Sequence, residues 1–262
     1  MSEKDPARPP RVLVPDLAEH LAKPEEHREI SLKVEEREHV RSRRLRDGDE
    51  VVALDGKGAR AVAVLVRGGA AIALLPSKQI FSSSSPLLPG EPANRVVVAL
   101  ACAEPARIEW AIEKGTECGA TGFVLLDAER SQRAHVAALS KRIPRLVRIA
   151  EEATKQCDRT LVPFVEGPKS TGDFLRRVRG EKVLVADPGG AALSGPFSGA
   201  AIAAIGPEGG FAPPEISLFE ENSSLFFSLG PRILRLETAV VVALARLVDP
   251  GCSSGRIFDA FS

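Results

Sequence analysis

The sequence predicts an α/β protein in two parts, a small N-terminal β-barrel followed by a larger domain built on a mainly parallel sheet. Three features carry that expectation. From Arg11 to about Pro76, short apolar runs are separated by Asp47-Gly48, Asp55-Gly56 and Gly68-Gly69, the turn chemistry of antiparallel hairpins. Between Pro76 and Asn94, a serine run and several prolines and glycines show no periodicity and read as a linker. After Arg95 the pattern becomes strand, helix, strand, with apolar runs of the kind that a parallel sheet buries on both faces.

Taken in order, residues 1–10 are polar and proline-rich and are expected to be loose. The first domain, 11–76, has its strands at Val12–Val14, Ile30–Val34, Glu50–Leu54, Ala59–Val66 and Ala70–Leu75. Within it, Glu35 to Arg46 reads either as a solvated surface helix or as a set of phosphate partners in Arg37, Arg41, Arg43, Arg44 and Arg46. The linker fills 77–94. The second domain, 95–249, opens with a strand at Arg95–Cys102, a helix at Pro105–Cys118 and a strand at Gly122–Leu126. A helix from about Pro144 to Cys157 puts Leu146, Ile149, Ala150, Ala153 and Cys157 on one face. Strands at Leu161–Val165 and Lys182–Ala186 bracket a helix that Ser170-x-x-Asp173 begins as a capping box. The last two strands, Ala200–Ile205 and Leu225–Leu229, each run into a loop and then a helix. The tail, 250–262, has no assigned role.

Composition narrows the function classes. A chain of 262 residues with 44% apolar content has enough to build ordinary cores. Its 35 basic and 35 acidic side chains cancel, so nucleic-acid binding requires local clusters of charge. Cys102, Cys118, Cys157 and Cys252 are far apart, without zinc spacing, and are expected to be reduced thiols; no metal is expected. With no apolar leader and no run of membrane-spanning length, the expectation is a soluble, cytoplasmic protein without a membrane partner.

The chemistry is expected in the two late loops, Ile205-Gly206-Pro207-Glu208-Gly209-Gly210-Phe211 and Leu229-Gly230-Pro231-Arg232-Ile233-Leu234-Arg235-Leu236-Glu237-Thr238-Ala239. Both leave parallel strands, so both lie near one end of the sheet, where open α/β sheets bind ligands. Gly206, Gly209, Gly210 and Gly230 are expected to take positive φ and let the backbone approach a ligand closely. Pro213 and Pro214 suit a first helical turn, with Glu215 against the dipole, and Glu237 opens the helix that runs to about Val248. The first loop matches neither the dinucleotide nor the phosphate-loop pattern. On spacing alone, tight turns and ligand loops both remain open.

The IGPEGGF and LGPRILRLETA segments resemble the paired signature of the bacterial 16S ribosomal RNA (uracil-N3)-methyltransferases, SPOUT-class enzymes that use S-adenosyl-L-methionine. The resemblance extends more weakly back to about Arg11. Lys114-Gly115-Thr116-Glu117-Cys118-Gly119 is similar to the family's K-x-T-E-L-G, with Cys118 in place of Leu, and Gln156, Arg159 and Pro163 to its Q-x-x-R-x-x-x-P. His39 and Arg44-Leu45 stand where the family has them, whereas Ser42-Arg43 replaces an apolar pair.

The resemblance implies a PUA-like RNA-binding barrel, a SPOUT domain with a trefoil knot, a homodimer, and small-subunit ribosomal RNA as partner. It implies a cofactor site at Ala186, Ile205, Gly206, Pro207, Glu208, Gly209, Gly210, Leu229, Gly230, Ile233, Leu234, Arg235, Thr238 and Ala239. Lys114 and Arg159 join the RNA-contact set, although a helix end capped by Gly119 and exposed charges account for the same residues. A uridine attacks through N3 only after losing a proton. Arg235, with Arg232 as the alternate, would favour the anion, and Glu208 or Glu237 would accept the proton. The helix after Glu237 is apolar on most sides, which suits either a subunit contact or a central core position. A non-catalytic RNA-binding module and an unrelated nucleotide-binding enzyme are the competing classes, and cofactor titration separates them.

Overall fold

The computed structural model describes residues 9–22, 29–75, 90–193, 197 and 199–249. Most of the expected loose N-terminus (1–8), most of the linker (76–89) and the tail (250–262) lie outside the described residues. The chain forms two compact units, one of residues 1–90 with 154–162, the other of residues 91–153 with 163–262.

In the first unit, β1 (Arg11–Leu13), β2 (Ile30–Ser31), β3 (Glu50–Leu54), β4 (Arg60–Val66) and β5 (Ala71–Leu74) form a five-stranded sheet in the order β1-β3-β4-β5-β2. β3, β4 and β5 are the expected antiparallel meander, and β2 is antiparallel to β5. Burial alternates along β4, with Ala61, Ala63 and Leu65 on the core side, as the two-residue period of a strand dictates. The carboxylate of Asp47 accepts from the backbone N–H groups of Gly68 and Gly69 at 2.8 and 2.9 Å, so the turn before β3 braces the turn between β4 and β5.

Two features depart from the sequence reading. β1 is parallel to β3, not part of a hairpin. Residues 14–49 supply the long crossover that a parallel pair needs. That crossover contains α1 (Leu17–Ala22), which apolar patterning did not reveal, and α2 (Val34–Ser42). The strand expected to reach Val34 stops at Ser31, because Val34 is exposed and opens α2, whose first turn places Glu35 and Glu36 favourably at the positive end of the helix dipole.

Residues 154–162 complete the first unit. Arg11 donates from Nε to Asp158 Oδ1 at 2.9 Å and from Nη1 to the carbonyl of Lys155 at 3.0 Å. Arg60 also reaches Asp158, at 3.4 Å. Lys155 Nζ meets Glu36 Oε1 at 2.8 Å, and the two side chains are only 3% and 8% exposed. Removing one partner of a buried pair strands the other charge in a poorly solvated site. Lys155→Met is therefore expected to lower unfolding free energy by about 3–5 kcal/mol, read from urea denaturation. The strand expected at Leu161–Val165 begins later: Leu161 forms an isolated bridge with Lys57, and β8 runs Phe164–Ser170.

The second unit is a six-stranded sheet in the order β11-β9-β10-β6-β7-β8, with every pair parallel. Its strands are β6 (Val96–Ala101), β7 (Gly122–Asp127), β8, β9 (Val183–Ala192), β10 (Ala201–Ile205) and β11 (Leu225–Ser228). The β10 run AIAAI is buried at all five positions, which is why it lacks alternation. The helices α3 (Pro105–Glu117), α5 (Ile143–Gln156), α6 (Thr171–Arg177), α7 (Pro213–Glu221) and α8 (Leu236–Leu247) follow the sequence reading, and α4 (Arg133–Ser140) was not anticipated. Ser170 accepts from the backbone N–H of Asp173 at 3.1 Å, the cap that the Ser-x-x-Asp spacing forecast. Asn94 closes the unit on itself: its amide nitrogen donates to the carbonyl of Leu247 at 2.7 Å and its oxygen accepts from Asp249 N at 2.8 Å. α8 buries Leu236, Ala239, Val240, Ala243, Leu244 and Leu247 against α3 and the sheet, so its apolar surface is largely consumed as a core helix of its own chain. No described helix is long and apolar enough to cross a membrane.

Candidate functional site

Parallel pairing puts the carboxyl ends of β9, β10 and β11 on one edge of the sheet. Ile205, the last residue of β10, is in register with Ala186 on β9, so the first loop leaves beside Ala186. β11 pairs with Val185 through Phe226 and then with Ala191 through Phe227, so β9 bulges over Ala186–Gly190 at this edge. A Cβ added at Gly190 would stand 2.4 Å from Phe227 N, and only glycine allows the bulge to lie that close. The bulge is a third loop at the site, of which the sequence reading identified only Ala186.

In the first loop, Gly206 and Pro207 are half-buried, Glu208, Gly209 and Gly210 are exposed, and Phe211 and Ala212 are buried. Gly210 N donates to Pro207 O at 2.8 Å, closing the turn, and the Phe211 ring packs on Phe219 of α7 with centroids 4.8 Å apart. Glu215 does more than face a dipole. Its carboxylate accepts from Ala212 N at 2.9 Å, from Thr171 Oγ1 at 2.5 Å and from Glu129 N at 3.2 Å. The neighbouring Arg130 donates to the carbonyl of Gly209, so the turn after β7 holds the tip of this loop.

The second loop is tied at its start and open at its tip. Arg246 on α8 donates to the carbonyls of Ser228 at 2.8 Å and Leu229 at 3.2 Å, and Gly230 N donates to Ser228 Oγ at 3.2 Å. Arg232, Ile233 and Arg235 are exposed, Ile233 by 92%. Leu234 is half-buried, Thr238 exposed and Ala239 buried. Positive φ was expected at four glycines, and it occurs only at Gly210 (+71°) and Gly230 (+117°). Gly206 is needed for space instead, since an added Cβ would lie 3.2 Å from the Phe211 ring. Gly209 has neither constraint; its nearest neighbour would be Arg130 Cδ at 3.6 Å.

One side chain joins the two loops. Arg107, in the first turn of α3, donates from Nε to Glu237 Oε2 at 2.8 Å and from Nη1 to Glu208 Oε1. Burial disfavours its charged form, but the hydrogen bonds it donates to Glu237 and Glu208 outweigh that and raise its pKa. For Glu237, burial pushes the carboxyl up, while its own backbone N–H, Arg107 and Arg235 pull it down further, leaving it below the ordinary carboxylate range. Glu237 is thus ionised near neutrality and a weak base. Arg232 and Arg235 have no hydrogen-bond or ion-pair partner through their side chains among the described residues.

Away from this edge, Arg41, Arg43, Arg44 and Arg46 form an exposed cluster at the end of α2, again without side-chain partners among the described residues. Lys114 is held between Glu113 and Glu117, at 2.8 Å from each, and these contacts raise its pKa. Arg159 is 2% exposed, so a phosphate would reach it only if it were uncovered. Burial pushes the Cys102 thiol up to about 12, an inert state. No three His, Cys, Asp or Glu side chains among the described residues group as metal ligands. Sequence reasoning missed Arg107, Arg130 and Arg246, each recognisable only by contacts far along the chain. The Asp187-Pro188-Gly189-Gly190 run, in contrast, carried a readable turn signal.

A sequence model described as an RNA methyltransferase domain matches residues 90–248. Ribosomal RNA small subunit methyltransferase E of Mycobacterium bovis is 33% identical over 212 residues, covering 77% of this chain and 79% of that protein. A probable rRNA-methyltransferase from Porphyromonas gingivalis superposes with a TM-score of 0.68 at 25% identity, over 90% of this chain and 95% of that one. Ribosomal RNA small subunit methyltransferase E from Neisseria gonorrhoeae, solved bound to S-adenosyl methionine, shares the fold with a TM-score of 0.74 at 23% identity, over 91% and 96% of the two chains.

Proposed function

Since the chain belongs to the RNA methyltransferase family whose model spans residues 90–248, we propose that it transfers a methyl group from S-adenosyl-L-methionine to N3 of a uridine in small-subunit (16S) ribosomal RNA. The observation that carries this reading is the pair of glycine loops meeting the β9 bulge at one carboxyl edge, inside the matched region. Those residues fit the cofactor. Gly230 leaves its main chain open, Gly206 lets the first loop close on the Phe211 ring, Ile233 and Leu234 offer apolar surface, and Ala186 and Ile205 form the floor. When bound, S-adenosyl-L-methionine supplies a methyl group on a sulfonium whose leaving group is already activated by charge, so no metal is required.

The remaining work falls to side chains. The loops orient the base and exclude competing water. Arg235, or Arg232, stabilises the N3 anion as its proton departs, because neither guanidinium is neutralised within the described chain. The two carboxylates assigned to accept that proton, Glu208 and Glu237, both accept hydrogen bonds from Arg107, and Glu237 is held below the ordinary carboxylate range. Mass mapping of ribosomal RNA from cells with and without the gene tests the reading: one uridine should lose its methyl group, and an unchanged map would remove it.

The same proposal assigns residues 11–76, completed by 154–162, to a PUA-like RNA-binding barrel, and the remainder of 95–249 to a SPOUT domain whose last strands thread a trefoil knot, acting in the cytoplasm. The threading rests on the family resemblance of the two late loop segments. The free cations Arg41, Arg43, Arg44 and Arg46 are the RNA grip of the barrel. Arg41, Arg43 and Arg46 replaced together by Ala are expected to lower the slope of log affinity against log salt by about 2–3, with cofactor affinity unchanged. An unaltered slope would return them to a solvated surface.

The enzyme is also proposed to be a homodimer that completes each site at the subunit boundary. Ile233, almost wholly exposed at the tip of the second loop, and Trp110, exposed on α3, are the apolar surfaces in favour. Light scattering should return twice the chain mass at micromolar concentration, and a monomer with full activity at nanomolar protein would contradict it.

A further inference from the structure

We propose that Arg107 is a positioning residue for methyl transfer, one that fixes the separation of the two cofactor loops and occupies Glu237 so that Arg235 stays free to face the substrate. The inference rests on the methyltransferase reading and goes beyond it, because Arg107 lies in neither signature segment. It stands on α3, 101 residues from one of its partners and 130 from the other.

Four observations converge on this role. Arg107 is mounted on a rigid element: Pro105 opens α3, and Ile108, Ala111 and Ile112 are buried beneath it. Its Nε and Nη1 point to different carboxylates, one from each loop, a task that suits a planar fork and not a single ammonium. The two arms differ in weight. Arg107 and Glu237 are 21% and 14% exposed, so that contact is partly sheltered from water, whereas Glu208 is 71% exposed and its arm is screened. Finally, Glu237 is the carboxylate that also senses Arg235. Without Arg107, the nearest cation for Glu237 is Arg235, and that pairing would withdraw Arg235 from the base.

The test uses the full chain with Arg107→Met and Arg107→Lys. Without any ligand, amide hydrogen exchange in residues 206–211 and 229–236 should be at least tenfold faster in Arg107→Met than in the wild type. Calorimetric affinity for S-adenosylmethionine should fall at least tenfold, and Arg107→Lys should restore only part of it, since one ammonium cannot span both carboxylates. The pH profile of single-turnover methylation carries the sign. Glu237 is held below its ordinary pKa, so the ionised form persists to lower pH in the wild type. Losing Arg107 raises that pKa, and the acid limb should move to higher pH, a shift that a merely structural role would not produce. Arg107→Met combined with Glu237→Gln should lose little beyond either change alone.

Wild-type exchange and wild-type affinity in Arg107→Met would overturn the proposal. Should that variant not fold, Arg107→Lys decides: unchanged exchange together with an unchanged acid limb overturns it. Hydrogen exchange requires neither cofactor nor RNA. A wild type that transfers no methyl group would therefore remove the methyltransferase reading while the exchange result still decides on Arg107.

Discussion

Arg235→Ala is expected to slow single-turnover methylation at saturating cofactor and RNA by tenfold to about a thousandfold, and raising the pH should recover part of the loss. A guanidinium beside N3 lowers the pKa of the imide by stabilising the anion, by ~1–3 units for a close pair. Each unit is worth about 1.4 kcal/mol, or tenfold in rate. Arg235 caps α8, is exposed, and acts on Glu237 only through space, so its charge is not consumed within the described chain. Alkaline rescue follows because higher pH supplies the anion directly. Loss of cofactor or RNA affinity in proportion to rate, with no rescue, would move Arg235 to a binding role and leave Arg232 as the next candidate.

Gly230→Val is expected to weaken S-adenosylmethionine binding by ten- to over a hundredfold in calorimetry while circular dichroism stays unchanged. Nothing lies within 4 Å of a Cβ built at Gly230, so the penalty is not a clash. It comes from φ of +117°, a conformation that costs a β-branched residue about 1–3 kcal/mol, which the loop would relieve by moving. Gly206→Val should have a comparable effect for the opposite reason, since its φ is ordinary but its Cβ would press on the Phe211 ring at 3.2 Å. Gly206→Ala, which adds that one carbon, should already show part of the loss, whereas Gly209→Ala should show almost none. Equal affinities across the series would place the cofactor elsewhere.

These variants also mark how far the sequence could be read. The parallel sheet was legible because wholly buried strands such as Ala201–Ile205 cannot alternate, and the loops because glycines cluster where those runs end. What each glycine does was not legible, since positive φ and lack of space leave the same letter. α1 and α4 escaped notice because they are short, and only Leu17 and Leu139 in them are fully buried, too few to set a period. The parallel partner of β1 could not be inferred, because pairing across a long crossover leaves no local signature. Arg107, Arg130 and Arg246 look like any surface arginine until folding carries them to a carboxylate or a bare carbonyl. Arg159 illustrates the converse, a charge that composition places outside and packing places inside.

The contribution of residues 154–162 to the first unit has a consequence for synthesis. Arg11 and Arg60 meet Asp158, Glu36 meets Lys155, and Val162 N donates to the carbonyl of Gly56 at 2.9 Å. A nascent chain that has emerged only as far as Gly90 holds the whole five-stranded sheet, yet it carries a buried carboxylate and two inward arginines without these counter-ions. Translation from there to Val162 takes roughly 4–14 seconds at ~5–20 residues per second. Through that interval the N-terminal segment waits on the ribosome incomplete, and it locks only when a stretch of chain made much later returns to it.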